Sequence, residues 1–278
     1  MGSGKSTVSK ILQERLKYDY IYTGKILREI ATKYNMTTLE LNKYAETHPE
    51  IDEEIDSTFK SLNDSNHLIV DSRLAWFFIP QSFKVFLKTN LIVSVSRISS
   101  DRERINEQYA SKEEAANHII ARKSSENKRY MELYGANCTD LAQFNLIIDT
   151  SFLSPGKVTD LIVIEYKKWL MSNKPVKSYI SPLNLYPTQS FLEFEDEDFN
   201  SPVRIVSINS FDYIVHGHKM TSYALKNDLD LLSVDYLGEN SLTAKGTTCK
   251  EEILKAITPQ LFYAWESFHS MKYLIYPI

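Results

Sequence analysis

The chain opens with a glycine-rich segment that reads Met1-Gly2-Ser3-Gly4-Lys5-Ser6-Thr7. Its end matches the phosphate-binding loop pattern, in which a glycine and four further residues precede Gly-Lys-Ser/Thr. A glycine here lets backbone amides approach phosphate oxygens, and the amino end of the following helix favours an anion. We expect Lys5 to reach the β- and γ-phosphates of a nucleotide and Ser6 to hold Mg²⁺. The phosphate-binding residues predicted from this pattern are Gly2, Gly4, Lys5, Ser6 and Thr7.

The start of the same pattern lies outside the sequence. Counting back from Gly4, the first glycine falls before Met1, and so does the strand that feeds such a loop. We therefore expect a sheet that lacks its first strand. Two explanations remain open: translation starts upstream of Met1, or the short chain is genuine and has weak or no activity.

Apolar strand patterns alternate with helical patterns through the first part of the chain. This alternation favours an α/β fold, with a parallel sheet flanked by helices. The predicted strands cover residues 19–22, 66–71, 83–87 and 145–149, and the predicted helices cover 8–17, 24–34, 158–170 and a long charged stretch at 91–134.

The pattern changes after residue 172, where the polar, proline-containing stretch 173–178 predicts a linker. The predicted domains are therefore 1–172 and 179–278. Strand patterns at 203–208 and 213–215 and a helical pattern at 218–227 predict a small α+β second domain.

The composition is that of an ordinary globular protein, with 43% apolar and 24% charged residues among 278. A net charge of -4 argues against a duplex-binding protein, although it does not exclude nucleic acid for the second domain. Two cysteines, Cys138 and Cys249, are typical of reduced thiols in a cytoplasmic protein. No apolar run approaches the length of a membrane span. Nothing in the sequence indicates an oligomeric state.

A carboxylate ends the apolar run Leu68-Ile69-Val70-Asp71. At the carboxyl end of a parallel strand, Asp71 could hold the water shell of Mg²⁺ together with Ser6, and Arg73 could hold a phosphate. An apolar run followed by an aspartate is also common as a plain strand end, and the sequence leaves both readings open.

Arg122, Glu126 and Arg129 share one face of a predicted helix, since they lie at positions i, i+4 and i+7. Two guanidinium groups oriented by a carboxylate suit a transferring phosphoryl group, whose charge must be neutralised. The alternative is a solvent-exposed ladder of ion pairs.

Residues 1–170 resemble cytidylate kinases of the compact, archaeal-like type. Several spaced motifs occur in the family's order. They are Tyr22-Thr23-Gly24-Lys25-Ile26-Leu27-Arg28, Tyr44-Ala45-Glu46, Pro49-Glu50-Ile51-Asp52, Asp71-Ser72-Arg73-Leu74-Ala75, Glu126-Asn127-Lys128-Arg129-Tyr130, Leu133-Tyr134-Gly135 and Ile147-Ile148-Asp149-Thr150.

The resemblance implies transfer of the γ-phosphoryl group of ATP, with Mg²⁺, to CMP or dCMP. It implies catalytic roles for Lys5, Arg122 and Arg129, the two arginines acting from the lid side. Arg97, Arg102 and Arg104 are further lid candidates. The acceptor-binding residues that it implies are Thr23, Gly24, Arg28, Arg73 and Glu126.

Residues 178–278 resemble the ParB/sulfiredoxin-like fold. The resemblance is carried by Ile180-Ser181-Pro182-Leu183-Asn184-Leu185-Tyr186-Pro187-Thr188-Gln189 and Ile214-Val215-His216-Gly217-His218-Lys219-Met220-Thr221-Ser222-Tyr223-Ala224-Leu225. In that fold a glycine turn leads into a helix whose amino end meets a phosphate, and here it implies an anion site at His216, Gly217, His218 and Lys219. The loop contains no cysteine, which argues against sulfiredoxin chemistry. An ordinary turn with polar histidines is the alternative.

Two functions therefore remain from the sequence. The first is an ATP-dependent CMP or dCMP kinase with an appended anion- or nucleotide-binding domain. The second is a non-catalytic or acceptor-switched kinase-like protein, whose C-terminal domain binds nucleotide, phosphate or a protein partner.

Overall fold

The structure is a computed structural model, which describes residues 2–36, 40–41, 44, 47–62, 67–100, 109, 111–172, 177–192 and 201–277. No helix in these ranges is long and apolar enough to cross a membrane. The helices are α1 (Lys5–Leu16), α2 (Thr23–Lys33), α3 (Pro49–Ser61), α4 (Ala75–Phe78), α5 (Leu91–Ser100), α6 (Lys112–Tyr134), α7 (Pro155–Ser172), α8 (His218–Lys226), α9 (Cys249–Ala256) and α10 (Pro259–His269). The strands are β1 (Asp19–Tyr22), β2 (Leu68–Asp71), β3 (Val85–Lys88), β4 (Leu146–Asp149), β5 (Lys177–Ile180), β6 (Leu185–Tyr186), β7 (Val203–Ile208), β8 (Phe211–His216) and β9 (Leu232–Leu237).

The described strands form two separate sheets. β1 and β2 pair in parallel, with Asp19 opposite Leu68 and Tyr22 opposite Asp71. The second sheet has seven strands in the order β3-β4-β5-β9-β7-β8-β6, in which β3, β4 and β5 are parallel. The predicted parallel sheet with flanking helices is confirmed, and it lies in two parts.

Helix α1 joins the two sheets. Its buried Val8 and Leu12 pack in one cluster with Leu146 of β4, and Ile69 of β2 and Val85 of β3 pack against the same cluster. Burying a side chain of this size stabilises a fold by about 1.5–3 kcal/mol. The helix that follows the glycine-rich segment is therefore fixed between both sheets.

A second core covers the small sheet. Ile26 and Ile30 of α2, Ile51 and Phe59 of α3 and Phe78 of α4 are all buried in it. Ile21 of β1 and Val70 of β2 pack against the same cluster. Helices α2, α3 and α4 thus hold the carboxyl ends of β1 and β2 beside the start of α1.

The long helix predicted at 91–134 is instead two helices, α5 and α6. The hydroxyl of Ser111 accepts a hydrogen bond from the Glu114 amide at 3.0 Å, which caps the start of α6. Helical periodicity continues across such a cap, so the pattern alone does not show the interruption. Val95, Ile98, Ala115 and Ile119 pack the two helices together.

Lys177 and Ser178, assigned to the linker, begin strand β5. This strand pairs in parallel with β4 and antiparallel with β9, so the sheet runs from one predicted domain into the other. A short polar sequence with only one buried face gives little sign of a strand. Residues 173–176 of the predicted linker lie outside the described ranges, and the division into two domains stays a prediction.

The C-terminal strands are built around a tight hairpin. Asn209 and Ser210 have φ angles of 51° and 71°, as a two-residue turn between twisted strands requires. The turn joins β7 to β8, with Ile208 opposite Phe211. Helix α10 buries Phe262 and Trp265 completely, so these two aromatic residues belong to the core, whereas Tyr263 and Phe268 on the same helix are exposed.

Candidate functional site

The glycine-rich segment packs tightly before α1. Gly2 and Gly4 have φ angles of 71° and 82°, a region that other residues rarely adopt. A Cβ on Gly2 would lie 2.7 Å from the Cα of Ser94 in α5, so only glycine fits there. No side chain caps the amino end of α1 at Gly4. The first amides of this helix therefore point toward the space that an anion would occupy.

Lys5, Ser6 and Asp71 come together at the amino end of α1. The Ser6 hydroxyl donates to Oδ2 of Asp71 at 3.3 Å, and the Lys5 ammonium lies 4.0 Å from Oδ1. The Asp71 side chain is only 10% exposed, whereas Ser6 and Thr7 are exposed. A hydroxyl and a carboxylate side by side are the oxygen donors that Mg²⁺ takes alongside nucleotide phosphates. The residues thus fit the metal that the sequence predicts for them.

Tyr20 is a part of this cluster that the sequence analysis missed. Its hydroxyl donates to Oδ2 of Asp71 at 3.4 Å. Burial and the Asp71 charge raise the pKa of Tyr20 to about 12, so the phenol stays a neutral donor. The parallel register of β1 and β2 brings the two residues together, and that register cannot be read from the sequence.

The predicted acceptor-binding residues of α2 lie next to Asp71. The Thr23 hydroxyl donates to the Asp71 carbonyl at 3.4 Å. The Arg28 guanidinium donates to the Tyr22 hydroxyl, and its central carbon lies 5.2 Å from the centre of the Tyr22 ring. A Cβ on Gly24 would lie 3.4 Å from the Tyr22 ring, within ordinary contact distance. Thr23 therefore lies beside Asp71, and Gly24 and Arg28 lie against Tyr22, which pairs with Asp71 in the sheet.

Arg73 follows the strand that ends at Asp71, and its side chain is half-buried. Its carbonyl accepts a hydrogen bond from the Trp76 indole at 3.0 Å. The Ser72 hydroxyl accepts from the amides of Leu74 and Ala75, each at 3.2 Å, and so fixes the turn after β2. The turn holds the Arg73 backbone close to Asp71.

Arg122, Glu126 and Arg129 all lie on α6, and the helical backbone places them on one face. Their side chains lie outside the description, as do Arg102 and Arg104. Their predicted roles stay predictions.

Arg97 holds the backbone around the glycine-rich segment. Its Nη1 donates to the Gly2 carbonyl at 3.3 Å, and its Nη2 donates to the carbonyls of Thr150 and Ser151 at 2.7 and 3.3 Å. The Thr150 hydroxyl donates to the Ser3 carbonyl at 3.0 Å. The proposal of Arg97 as a lid arginine is therefore wrong for this structure, because carbonyl groups of the loop already occupy its guanidinium.

The candidate anion site of the C-terminal region lies at the start of α8. Gly217 has a φ of 104°, and a Cβ on it would lie 2.9 Å from Cγ2 of Val203. His218 is 1% exposed, and its Nε2 accepts from the Thr188 amide at 3.1 Å. Burial lowers the pKa of His218 to about 3, so it carries no charge at neutral pH. His218 thus fixes the turn, and the prediction that it helps to hold an anion is corrected. His216 and Lys219 are half-buried.

Two cytidylate kinases are among the proteins that are similar to part of this chain. A cytidylate kinase from Sulfolobus acidocaldarius is 38% identical over 165 residues, which cover 58% of this chain and 87% of the relative. A cytidylate kinase from Methanocaldococcus jannaschii is 36% identical over 155 residues, which cover 54% of this chain and 84% of the relative.

Similarity to solved structures is weaker. A shikimate kinase from Bacteroides thetaiotaomicron gives a TM-score of 0.44 at 18% identity, covering 62% of this chain and 94% of that chain. A TM-score this low supports no conclusion about this chain. The model of the cytidylate kinase-like family matches residues 1–152, more than half of the sequence. The chain therefore belongs to the cytidylate kinase-like family.

Proposed function

We propose that the chain transfers the terminal phosphoryl group of ATP to CMP or dCMP. The observation that carries the proposal is the meeting of Lys5, Ser6 and Asp71 at the uncapped amino end of α1. Membership of the family and the names of the two relatives support the same reaction.

The donor nucleotide binds at the glycine-rich segment. Amides at the start of α1 and the Lys5 ammonium hold the β- and γ-phosphates. Ser6 and Asp71 would hold Mg²⁺, directly or through water, and the ion would supply positive charge that stabilises the transferring phosphoryl group. Tyr20 keeps the Asp71 carboxylate oriented toward Ser6.

The acceptor binds on the side of α2. Arg28 and Arg73 bind its phosphate, with Thr23 and Gly24 beside it. From α6, Arg122 and Arg129 neutralise the charge of the group in flight, and Glu126 contacts the cytidine. Positioning and charge stabilisation suffice for this transfer, so no covalent intermediate on the protein is needed.

For the C-terminal region we propose an anion- or nucleotide-binding module of the ParB/sulfiredoxin-like kind. The close approach of Gly217 to Val203 and the half-buried Lys219 support a tight turn at which an anion could be held. His216 and Lys219 supply the polar contacts in this proposal. We also propose a cytoplasmic location, for which the reduced cysteines are the support.

A panel of acceptors tests the kinase proposal. ADP release is measured with ATP and Mg²⁺ in the presence of CMP, dCMP, UMP, AMP or free serine. We expect turnover with CMP and dCMP and much less with the others. Turnover with another acceptor alone would indicate an acceptor-switched kinase. No turnover with any of the five would defeat the enzyme proposal and favour the non-catalytic alternative.

A further inference from the structure

The segment after β5, which the sequence assigned to the C-terminal domain, contacts the end of a kinase strand. Asp149, the last residue of β4, is 1% exposed. Its Oδ2 accepts from the Asn184 side-chain amide at 2.6 Å and from the Ser181 backbone amide at 3.3 Å. Asn184 also donates to the Ser151 hydroxyl at 3.0 Å. The turn after β4 is thus tied to the C-terminal region by charge-assisted and buried hydrogen bonds.

The same turn holds the glycine-rich segment from the other side. Thr150 is 2% exposed, and its hydroxyl donates to the Ser3 carbonyl at 3.0 Å. Arg97 links the Thr150 and Ser151 carbonyls to the Gly2 carbonyl. A continuous hydrogen-bonded path therefore runs from Asn184 through Ser151 and Arg97 to residues 2–3.

A second anchor from the C-terminal region supports the neighbouring strand. Lys88, at the end of β3, forms an ion pair with Asp212 of β8, whose side chain is 1% exposed. The Lys88 carbonyl accepts from the Thr150 amide at 2.9 Å. Tyr236 completes the group, accepting from the Lys88 ammonium at 3.3 Å and donating to Asp212 at 3.4 Å. The C-terminal strands thus hold the end of β3, to which the Thr150 amide is hydrogen-bonded.

We propose that Asn184 is a positioning residue for the phosphate-binding segment, acting through the turn at residues 149–151 and through Arg97. It touches no substrate. Asn184 holds the turn at residues 149–151. This turn and Arg97 hold the carbonyls of Gly2 and Ser3, so that the amides of the residues that follow face the nucleotide phosphates. The role in catalysis rests on the proposed kinase function, and the role in ordering the segment does not. The C-terminal region is then a built-in support for the ATP site.

The test compares Asn184→Ala with Asn240→Ala, a matched change at an exposed turn of the same region. Hydrogen–deuterium exchange is measured on the full chain without nucleotide. In Asn184→Ala, we expect amides of residues 2–8 to exchange roughly tenfold faster, because buried charge-assisted hydrogen bonds are lost. Peptides from α3 and α10 should keep wild-type rates, and Asn240→Ala should match wild type throughout.

Kinetics provide a second readout. The KM for ATP should rise by about the same factor of ten in Asn184→Ala, while the KM for CMP changes less than about twofold. Exchange at the wild-type rate in residues 2–8 would overturn the inference, even if the chain is an active kinase. Faster exchange without turnover in any variant would support the positioning role and defeat the proposed function.

A milder variant separates local from global effects. Asn184→Ser keeps a short polar group and should accelerate exchange in residues 2–8 alone, by less than Asn184→Ala. A uniform acceleration over the whole chain in Asn184→Ser would contradict a positioning role.

Discussion

The Ser6 hydroxyl donates to Oδ2 of Asp71 at 3.3 Å, although the two residues are 65 positions apart in the chain. Ser6 lies on the first turn of α1, and Asp71 ends β2. Because α1 packs against both sheets, the contact between Ser6 and Asp71 is a consequence of the fold and not of local sequence. It brings together the two oxygen donors that the metal of a phosphoryl transfer requires.

Asp71→Asn should lower phosphoryl transfer at least about tenfold, because an amide holds Mg²⁺ and orients Lys5 less well than a carboxylate. Part of the loss should be recovered at high Mg²⁺ concentration. The measurement is ADP release over a range of Mg²⁺ concentrations. Asp19→Asn, at the exposed start of β1, is the control and should behave like wild type. Equal rates of ADP release for the two variants would show that Asp71 has no role in phosphoryl transfer.

Arg28→Ala and Arg129→Ala should each lower kcat/KM for CMP at least about tenfold, through lost charge stabilisation. For Arg28→Ala, the KM for ATP should stay near its wild-type value, since the residue lies on the acceptor side. Steady-state kinetics with each substrate varied in turn distinguish the two effects.

Arg15→Ala serves as the control for both arginine variants. Arg15, near the carboxyl end of α1, forms an ion pair with Asp160 of α7. Both side chains are exposed, and an exposed ion pair contributes little to stability. Wild-type rates in both Arg28→Ala and Arg129→Ala would reject the residue roles taken from the family.

The sequence predicted the strands around the candidate site, because β2 and β4 are short apolar runs that each end in an aspartate. It also predicted that Ser6 and Asp71 share a metal site, with a plain strand end as the alternative for Asp71. Contacts that depend on register or on long-range packing were missed. Tyr20 meets Asp71 only through the pairing of β1 with β2. Arg97 has the charge of a lid arginine, but its place on α5 directs it to the Gly2 carbonyl.

The C-terminal region was less predictable for a physical reason. β5 is a short strand whose alternate residues are buried, and its polar first residues resemble a linker. The sequence around His218 resembles an anion site, but packing buries the His218 side chain completely. A side chain's exposure depends on neighbours that are distant in sequence, such as Thr188 and Trp265.

Gly217→Ala should lower the free energy of unfolding by about 3 kcal/mol, through its positive φ and overlap with Val203. Gly156→Ala is the matched control, since Gly156 lies in the first turn of α7 and a Cβ added to it would lie no closer than 3.9 Å to a neighbouring side chain. It should be neutral or stabilise by up to about 1 kcal/mol. Denaturant unfolding measures both. Equal stability of the two variants would show that the turn at Gly217 is not constrained as described.

The buried His218 should make stability depend on acidity. Its pKa is about 3 when folded and near 6.5 when exposed, so the unfolded chain binds the extra proton between these values. Stability is therefore complete above about pH 6.5 and falls as the pH drops toward 3, with a slope of at most about 1.4 kcal/mol per pH unit from this group.

His218→Gln keeps an acceptor for the Thr188 amide and removes the titration. The slope of unfolding free energy between pH 4 and 6 should therefore decrease by about 1 kcal/mol per pH unit. His269, whose pKa burial lowers to about 4, should supply part of the remaining slope. An identical slope in wild type and His218→Gln would refute the burial of a neutral His218.

The most direct test of the proposed ATP site compares Lys5→Ala with Lys10→Ala, an exposed lysine further along the same helix. CDP formation from CMP, ATP and Mg²⁺ is followed by chromatography for wild type and both variants. We predict that wild type and Lys10→Ala form CDP at equal rates and that Lys5→Ala is slower by at least about a hundredfold. CDP formation by Lys5→Ala at the wild-type rate would contradict the account of this segment as the phosphate-binding site.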